Sequence, residues 1–310
     1  MCIRDSFYAR EGYVTVALCW LILAVIGALP FVLSREIPFF IDALFETVSG
    51  FTTTGATILG DVEALSHASM LWRCLTHWVG GMGVLVFMLI VLPLAGGQTI
   101  FLMRAESPGP SVSKMSPHMR DTATILYAIY FGLTVLQMIL LLIGGMPLFD
   151  AICVSLGTAG TGGFGNWNDS IAHYNSAYLQ NVITVFMILF GINFSAYFLI
   201  LTRKFRQAFR IEEIRVYLGV IFVFAGLIAF NVRPMFGSLR ESFHHALFQV
   251  ASIITTTGFS TVDFDQWPTF SRALLVLLMF VGGCAGSTAG GLKVSRLTIL
   301  CKMIRRELRH

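Results

Sequence analysis

Charge is what this 310-residue chain has least of: Asp, Glu, Lys and Arg make up 12% of it, against 56% apolar residues. A soluble domain carries about 25% charged residues, so an ordinary soluble core is excluded. Cysteine is sparse and scattered. Cys2, Cys19, Cys74, Cys153, Cys284 and Cys301 form no CxxC and pair with no His. That spacing argues against a metal site or a disulfide framework. Catalytic signatures are missing too: there is no Ser/His/Asp set, no HExxH and no pair of membrane carboxylates. The expectation is therefore not an enzyme. No phosphate-cradling loop is present, so no cofactor is expected to bind directly and any nucleotide effect must come through a partner. Met1–Arg10 has neither a long apolar stretch nor a cleavage pattern, so it is not expected to be a signal peptide.

What the chain does have is long apolar runs. Gly12–Leu33, Met70–Leu94, Thr122–Ile143, Tyr178–Leu201, Val216–Val232 and Arg272–Leu300 read as membrane spans; crossing a bilayer core takes roughly 20 residues. They are continuous rather than alternating, so a β-barrel is excluded. The predicted fold class is an all-α integral membrane protein.

Between the spans one short device recurs. Ala43–Ala56 (ALFETVSGFTTTGA), Ala151–Phe164 (AICVSLGTAGTGGF) and Ala246–Phe259 (ALFQVASIITTTGF) each run from an apolar half-helix into a Thr/Gly tip. The step from the first Ala to the tip Gly (Gly55, Gly163, Gly258) is 12 residues in all three. Repetition at this level defines the architecture. The units are span, re-entrant loop, span, at 11–97, 119–205 and 215–310, joined by connectors at 98–118 and 206–214. The half-helices, Ile41–Gly50, Asp150–Ser155 and Phe243–Ile253, are too short to span.

If the three tips enter from one side, 16 of the 21 Lys and Arg lie on the other, in the N-terminal stub, Arg104–Arg120, Arg203–Arg215 and Lys293–Arg309. Excess Lys/Arg marks the cytoplasmic side, so the loops face outside. Positive-inside topology also accounts for the basic runs without nucleic acid.

Non-helical backbone at membrane depth survives only where it is buried in protein or lines a wet cavity. The tips should therefore line a passage. A dehydrated cation needs replacement oxygens, and backbone carbonyls supply them without fixed charge. Gly reaches the required dihedrals most cheaply. The predicted filter is Thr52, Thr53, Thr54 and Gly55; Gly160, Thr161, Gly162 and Gly163; and Thr255, Thr256, Thr257 and Gly258. In the first and third tips the Thr side chains can pack behind the filter. The second has Gly160 and Gly162 instead, so its wall should be looser or held by neighbours.

FETVSGFTTTGATIL, HWVGGMGVLVF, FQVASIITTTGFST and FVGGCAGSTAGGLKVSRL resemble the Trk/Ktr/HKT superfamily of potassium transporters, most closely its bacterial TrkH/TrkG branch. The resemblance covers roughly residues 11–310. It implies potassium uptake across the bacterial inner membrane, a homodimer surrounded by membrane lipid, and a cytosolic nucleotide-binding regulatory subunit of RCK type. Filter glycines map to Gly55, Gly163 and Gly258. Plant relatives that prefer sodium carry Ser at the first position, so Gly55 implies potassium; a sodium-permeable member of the superfamily is the alternative. The family places four units around one pore. Three are visible here, so this chain is expected to be part of a longer protein and to carry no selective flux alone.

Gly282–Gly291 (Gly282, Gly283, Cys284, Ala285, Gly286, Ser287, Thr288, Ala289, Gly290, Gly291) interrupts the last span with five glycines in ten residues. Such a run is a poor helix. It suggests a broken helix beside a cavity, and close helix packing is the plainer reading. The resemblance implies a gate below the filter. Lys293 and Arg296, which follow it, could repel cations, pair with a carboxylate or snorkel to the cytosol, and Lys293 is placed near the inner mouth. Gly80, Gly81 and Gly83 should let a half-helix pack closely. Asn193 and Ser195 either line the cavity or bond between helices. Asp42, Glu46, Asp150 and Asp263 lie near the entrance; Glu46 either pairs with Arg73 or attracts cations. His77, His244 and His245 read as packing or interfacial residues. An ion-coupled transporter of a small organic solute is the rival class; it would need convergent polar side chains at the midplane.

Overall fold

The computed structural model describes residues 9–83, 119–208 and 210–308. The connector at 98–118 and the end of the first unit's second span lie outside these residues. Among the described residues there is no β-strand, only one isolated bridge between Val281 and Leu292.

Unit one comprises α1 (Ala9–Leu33), the half-helix α2 (Phe40–Phe51) and α3 (His67–Gly81). Unit two comprises α4 (Met119–Ile143), the half-helix α5 (Leu148–Ala159), α6 (Ala177–Phe190) and α7 (Phe194–Leu201). A single turn at Phe205–Ala208 leads to unit three: α8 (Glu212–Val232), the half-helix α9 (Leu239–Ile254), α10 (Thr269–Met279) and α11 (Val294–Glu307). α1, α4 and α8 are long and apolar enough to cross a membrane. Leu18, Leu21, Ile22, Val25 and Ile26 of α1 and Phe222, Val223, Leu227 and Phe230 of α8 are exposed. These outward apolar faces match a lipid solvent, where apolar surface need not be hidden.

Helix starts follow local chemistry. Ser66, Ser176 and Ser238 accept a hydrogen bond from the backbone N–H three residues on, capping α3, α6 and α9. The half-helices run longer than expected, to 12, 12 and 16 residues. Each packs against the first helix of its own unit. α5 also packs on α3 of unit one, and α9 on α6 of unit two, so unit two lies against both of the others.

Two expected spans are not single helices. The last is broken between α10 and α11 by the Gly-rich run, as expected. Tyr178–Leu201 was expected to be continuous, yet it breaks at Gly191–Asn193 with a bend of 94° between α6 and α7. The cause is tertiary: the break offers Gly191 O to Cys284 N (2.9 Å) and Phe194 N to Gly286 O (2.9 Å), so it docks the Gly-rich loop.

Candidate functional site: the three tips and the loop beneath them

All three half-helices end in the same backbone device. After the caps Thr52, Gly160 and Thr255, the next residue donates to the carbonyl three back: Thr53 to Gly50, Thr161 to Thr158 and Thr256 to Ile253. The one after donates five back: Thr54 to Ser49, Gly162 to Gly157 and Thr257 to Ser252. This is a Schellman cap, which usually has Gly at the left-handed position. Here Thr53, Thr161 and Thr256 hold φ of 53°, 53° and 58°. A β-branched residue there is strained by about 1–3 kcal/mol, and such strain concentrates at functional sites. Two residues on, Gly55, Gly163 and Gly258 have φ of 77°, 79° and 84°.

The tips stand side by side. A Cβ on Gly55 would collide with the Gly162 carbonyl oxygen, and one on Gly163 with that of Thr257. At Gly258 the same position is open among the described residues. The walls behind differ. The Thr52 hydroxyl bonds to Val48 O (2.7 Å) and Thr54 Oγ1 (2.8 Å); Thr255 does the same with Ala251 O (2.7 Å) and Thr257 Oγ1 (2.8 Å). Ser49 and Ser252 tie down Ala56 O and Phe259 O at 2.5 and 2.6 Å. In unit two this position is Gly157, pressed against Phe164 O. Unit two is indeed held by neighbours: Gly160 lies against the His77 backbone, and Gly162 against the His77 ring.

Glu46 and Arg73 form a buried ion pair (2.5 Å). Glu46 also accepts from Thr57 Oγ1 (3.0 Å) and Ile58 N (3.1 Å), and Arg73 donates to Gly165 O (3.3 Å). The pair therefore braces the strands that leave the first and second tips. Asp150 accepts from Asn166 (2.7 Å), Trp167 (3.2 Å) and Tyr174 (2.6 Å), bracing the second loop. Asp42 is half-buried, and Asp263 is exposed and turns its carboxylate on its own loop. Gly80 abuts the Phe51 backbone at the end of α2, the close packing expected there.

The Gly-rich loop lies under the tips and is laced to them. Thr161 Oγ1 donates to Thr288 O (3.0 Å), and Gly290 N donates to Thr256 Oγ1 (2.8 Å). Thr288 Oγ1 donates to Phe190 O (3.2 Å), and Ser287 Oγ to Cys284 O (2.7 Å). Gly282 leaves no room for a Cβ beside Gly290 O, and Gly286 and Gly291 hold φ of 71°. Glu213 ties the loop to the start of α11, accepting from Ala285 N (2.6 Å) and Ser295 N (3.1 Å). Lys293 starts α11, half-buried, its Nζ on Ala289 O. Asn193 Oδ1 accepts from Ser195 N (2.8 Å), capping α7. Sequence reasoning missed Ser49, Ser252 and Glu213; the first two were findable, since they occupy one position of the 12-residue frame.

Half-helices that enter, turn at strained tips and leave define a class: a helical integral membrane protein of repeated span–pore-loop–span units. A family model described as TrkH, a cation transport protein, matches residues 3–225 and 220–310. The chain belongs to this family. It is 40% identical over 313 residues to the Trk system potassium uptake protein TrkH of Salmonella typhimurium, covering 99% of this chain and 65% of that protein. With the Trk system potassium uptake protein TrkG of Escherichia coli K12 it shares 36% over 303 residues, 96% of this chain and 62% of the relative. The crystal structure of the potassium transporter TrkH from Vibrio parahaemolyticus is similar, with a TM-score of 0.85 and 31% identity, covering 100% of this chain and 64% of that one. The chain thus spans just under two thirds of the length of these relatives.

Proposed function

We infer that the three tips are strands of a potassium-selective filter, and that the protein takes up potassium through it. The observation that carries this is the repeated backbone: three half-helix C-termini, each followed by a left-handed Thr and a left-handed Gly, packed carbonyl against glycine. Carbonyl oxygens replace the hydration shell, and the partially negative C-termini of α2, α5 and α9 favour a cation at the tips. Glycine at Gly55, Gly163 and Gly258 favours potassium over sodium, in keeping with the potassium uptake named for the relatives.

Gly282–Gly291 is the gate, a loop held shut beneath the filter by Thr161, Thr256 and Glu213. The basic cytosolic segments dock an RCK-type nucleotide-binding subunit, and the protein works as a homodimer in the inner membrane. The test is rubidium uptake in potassium-uptake-deficient cells expressing the full-length protein. Uptake should be competed by potassium, weakly by sodium and not by amino acids. Competition by an amino acid would favour the solute-transporter reading, and equal competition by sodium the sodium-permeable one. Shortening Gly282–Gly291 in the full-length protein should raise flux; unchanged or lower flux in a well-expressed variant would count against the gate.

A further inference from the structure

The second tip has glycine where the other two have threonine, and the space behind it belongs to one side chain from another unit. His77, on α3 of unit one, is fully buried. A Cβ on Gly162 would fall 2.5 Å from His77 Nδ1 and 2.6 Å from Nε2, so only glycine fits while the ring is there. Phe164 N donates to His77 Nδ1 (3.3 Å), fixing the strand just past the filter glycine. The ring stacks on Phe164 (centroids 3.8 Å apart, planes 19° apart), and the Arg73 guanidinium carbon sits 3.6 Å from the Phe164 centroid. The ring is thus backed by the aromatic–cation stack that the Glu46–Arg73 pair anchors.

In units one and three the same job falls to the strand's own hydroxyls, Thr52 to Thr54 and Thr255 to Thr257, each pair 2.8 Å apart. Unit two has no such side chains at Gly160 and Gly162. Its Gly162 carbonyl is nevertheless the one packed against Gly55, so its position fixes the spacing between two strands.

We propose that His77 is a positioning residue for ion selectivity, its imidazole taking the place of the threonine side chain missing at Gly162, with its backbone against Gly160, and holding the Gly162 carbonyl at the potassium-sized spacing. The proposal rests on reading the tips as a filter. A rigid planar ring locked by stacking suits this role, because selectivity depends on where, and how firmly, carbonyls are held.

The test uses rubidium uptake, with potassium and sodium as competitors, in cells expressing the full-length protein. H77A should lower the preference for potassium over sodium, while G162A, with the ring in place, should abolish uptake. H77A/G162A should regain uptake that G162A lacks, because the added methyl occupies the vacated space. H77N keeps an acceptor for Phe164 N and should retain more selectivity than H77A. Should H77A fail to reach the membrane, H77N and H77Q, each combined with G162A, make the same comparison. Three results would overturn the proposal: an unchanged potassium/sodium ratio in a lower-melting H77A, a double variant no better than G162A, or H77N no more selective than H77A. If the unmodified full-length protein shows no potassium-competed uptake, the filter reading fails first, and this proposal with it.

Discussion

Glu46 shows how one buried charge can serve two strands. Its carboxylate is satisfied by Arg73, Thr57 and Ile58 together, and it has almost no exposure. Removing one partner of a buried pair leaves an unpaired charge, at a cost of about 3–5 kcal/mol. E46Q and R73M should each lower the melting temperature of the detergent-purified protein markedly, and the double variant should fall short of the sum. Additive losses would mean that the pair does not act as a unit. Asp61, on the loop before α3, is a milder case. A hydrogen bond from Asn168 (2.7 Å) holds its carboxyl below the usual 3.8. A depressed carboxylate stabilises the folded loop above its unfolded value and loses that contribution as pH falls through the folded one. The protection of the 61–66 loop amides from hydrogen exchange, relative to their intrinsic rates, should therefore fall below about pH 4, and N168A should blunt the change; equal loss of protection in N168A would sink the assignment. Pairing of Glu46 with Arg73 was one of two readings available from sequence. The role of His77 was not legible, because its hydrogen-bond partner Phe164 is 87 residues away.

Among elements, the tips and the Gly-rich loop move or hold together. Thr256 keeps a strained φ, and its hydroxyl accepts from Gly290 N. T256V removes the acceptor and leaves a partly buried N–H unpaired, worth about 1–3 kcal/mol; T256S keeps it. T256V should raise rubidium flux through a loosened loop, with T256S near the parent. Equal flux in all three would separate the loop from the tip. The broken last span was legible, because five glycines in ten residues cannot sustain a helix. The break at Gly191–Asn193 was not. FGINF reads as apolar span with one glycine, and its carbonyl at Gly191 and N–H at Phe194 are freed only because the Gly-rich loop takes them up. The half-helices were recognised in place but read short, since propensity alone does not register the packing of α5 on α3 and α9 on α6.

For the whole molecule, the uneven basic charge makes a direct prediction about orientation. Cys301 is a free, exposed thiol on α11, on the predicted cytosolic side, and Asp265 is exposed on the loop after the third tip. A membrane-impermeant thiol reagent should label D265C in intact cells and reach Cys301 only after the membrane is opened. The reverse pattern would invert the topology. The sequence by itself determined the membrane class, the three-fold repetition and the glycine at each tip. Those are properties of composition and of a fixed 12-residue frame, which local chemistry imposes along the chain. Only the tertiary structure decided which carbonyl meets which glycine, which histidine stands behind the second strand, and which hydroxyls hold the loop. Those contacts join segments far apart in sequence, and their geometry comes from how whole helices pack.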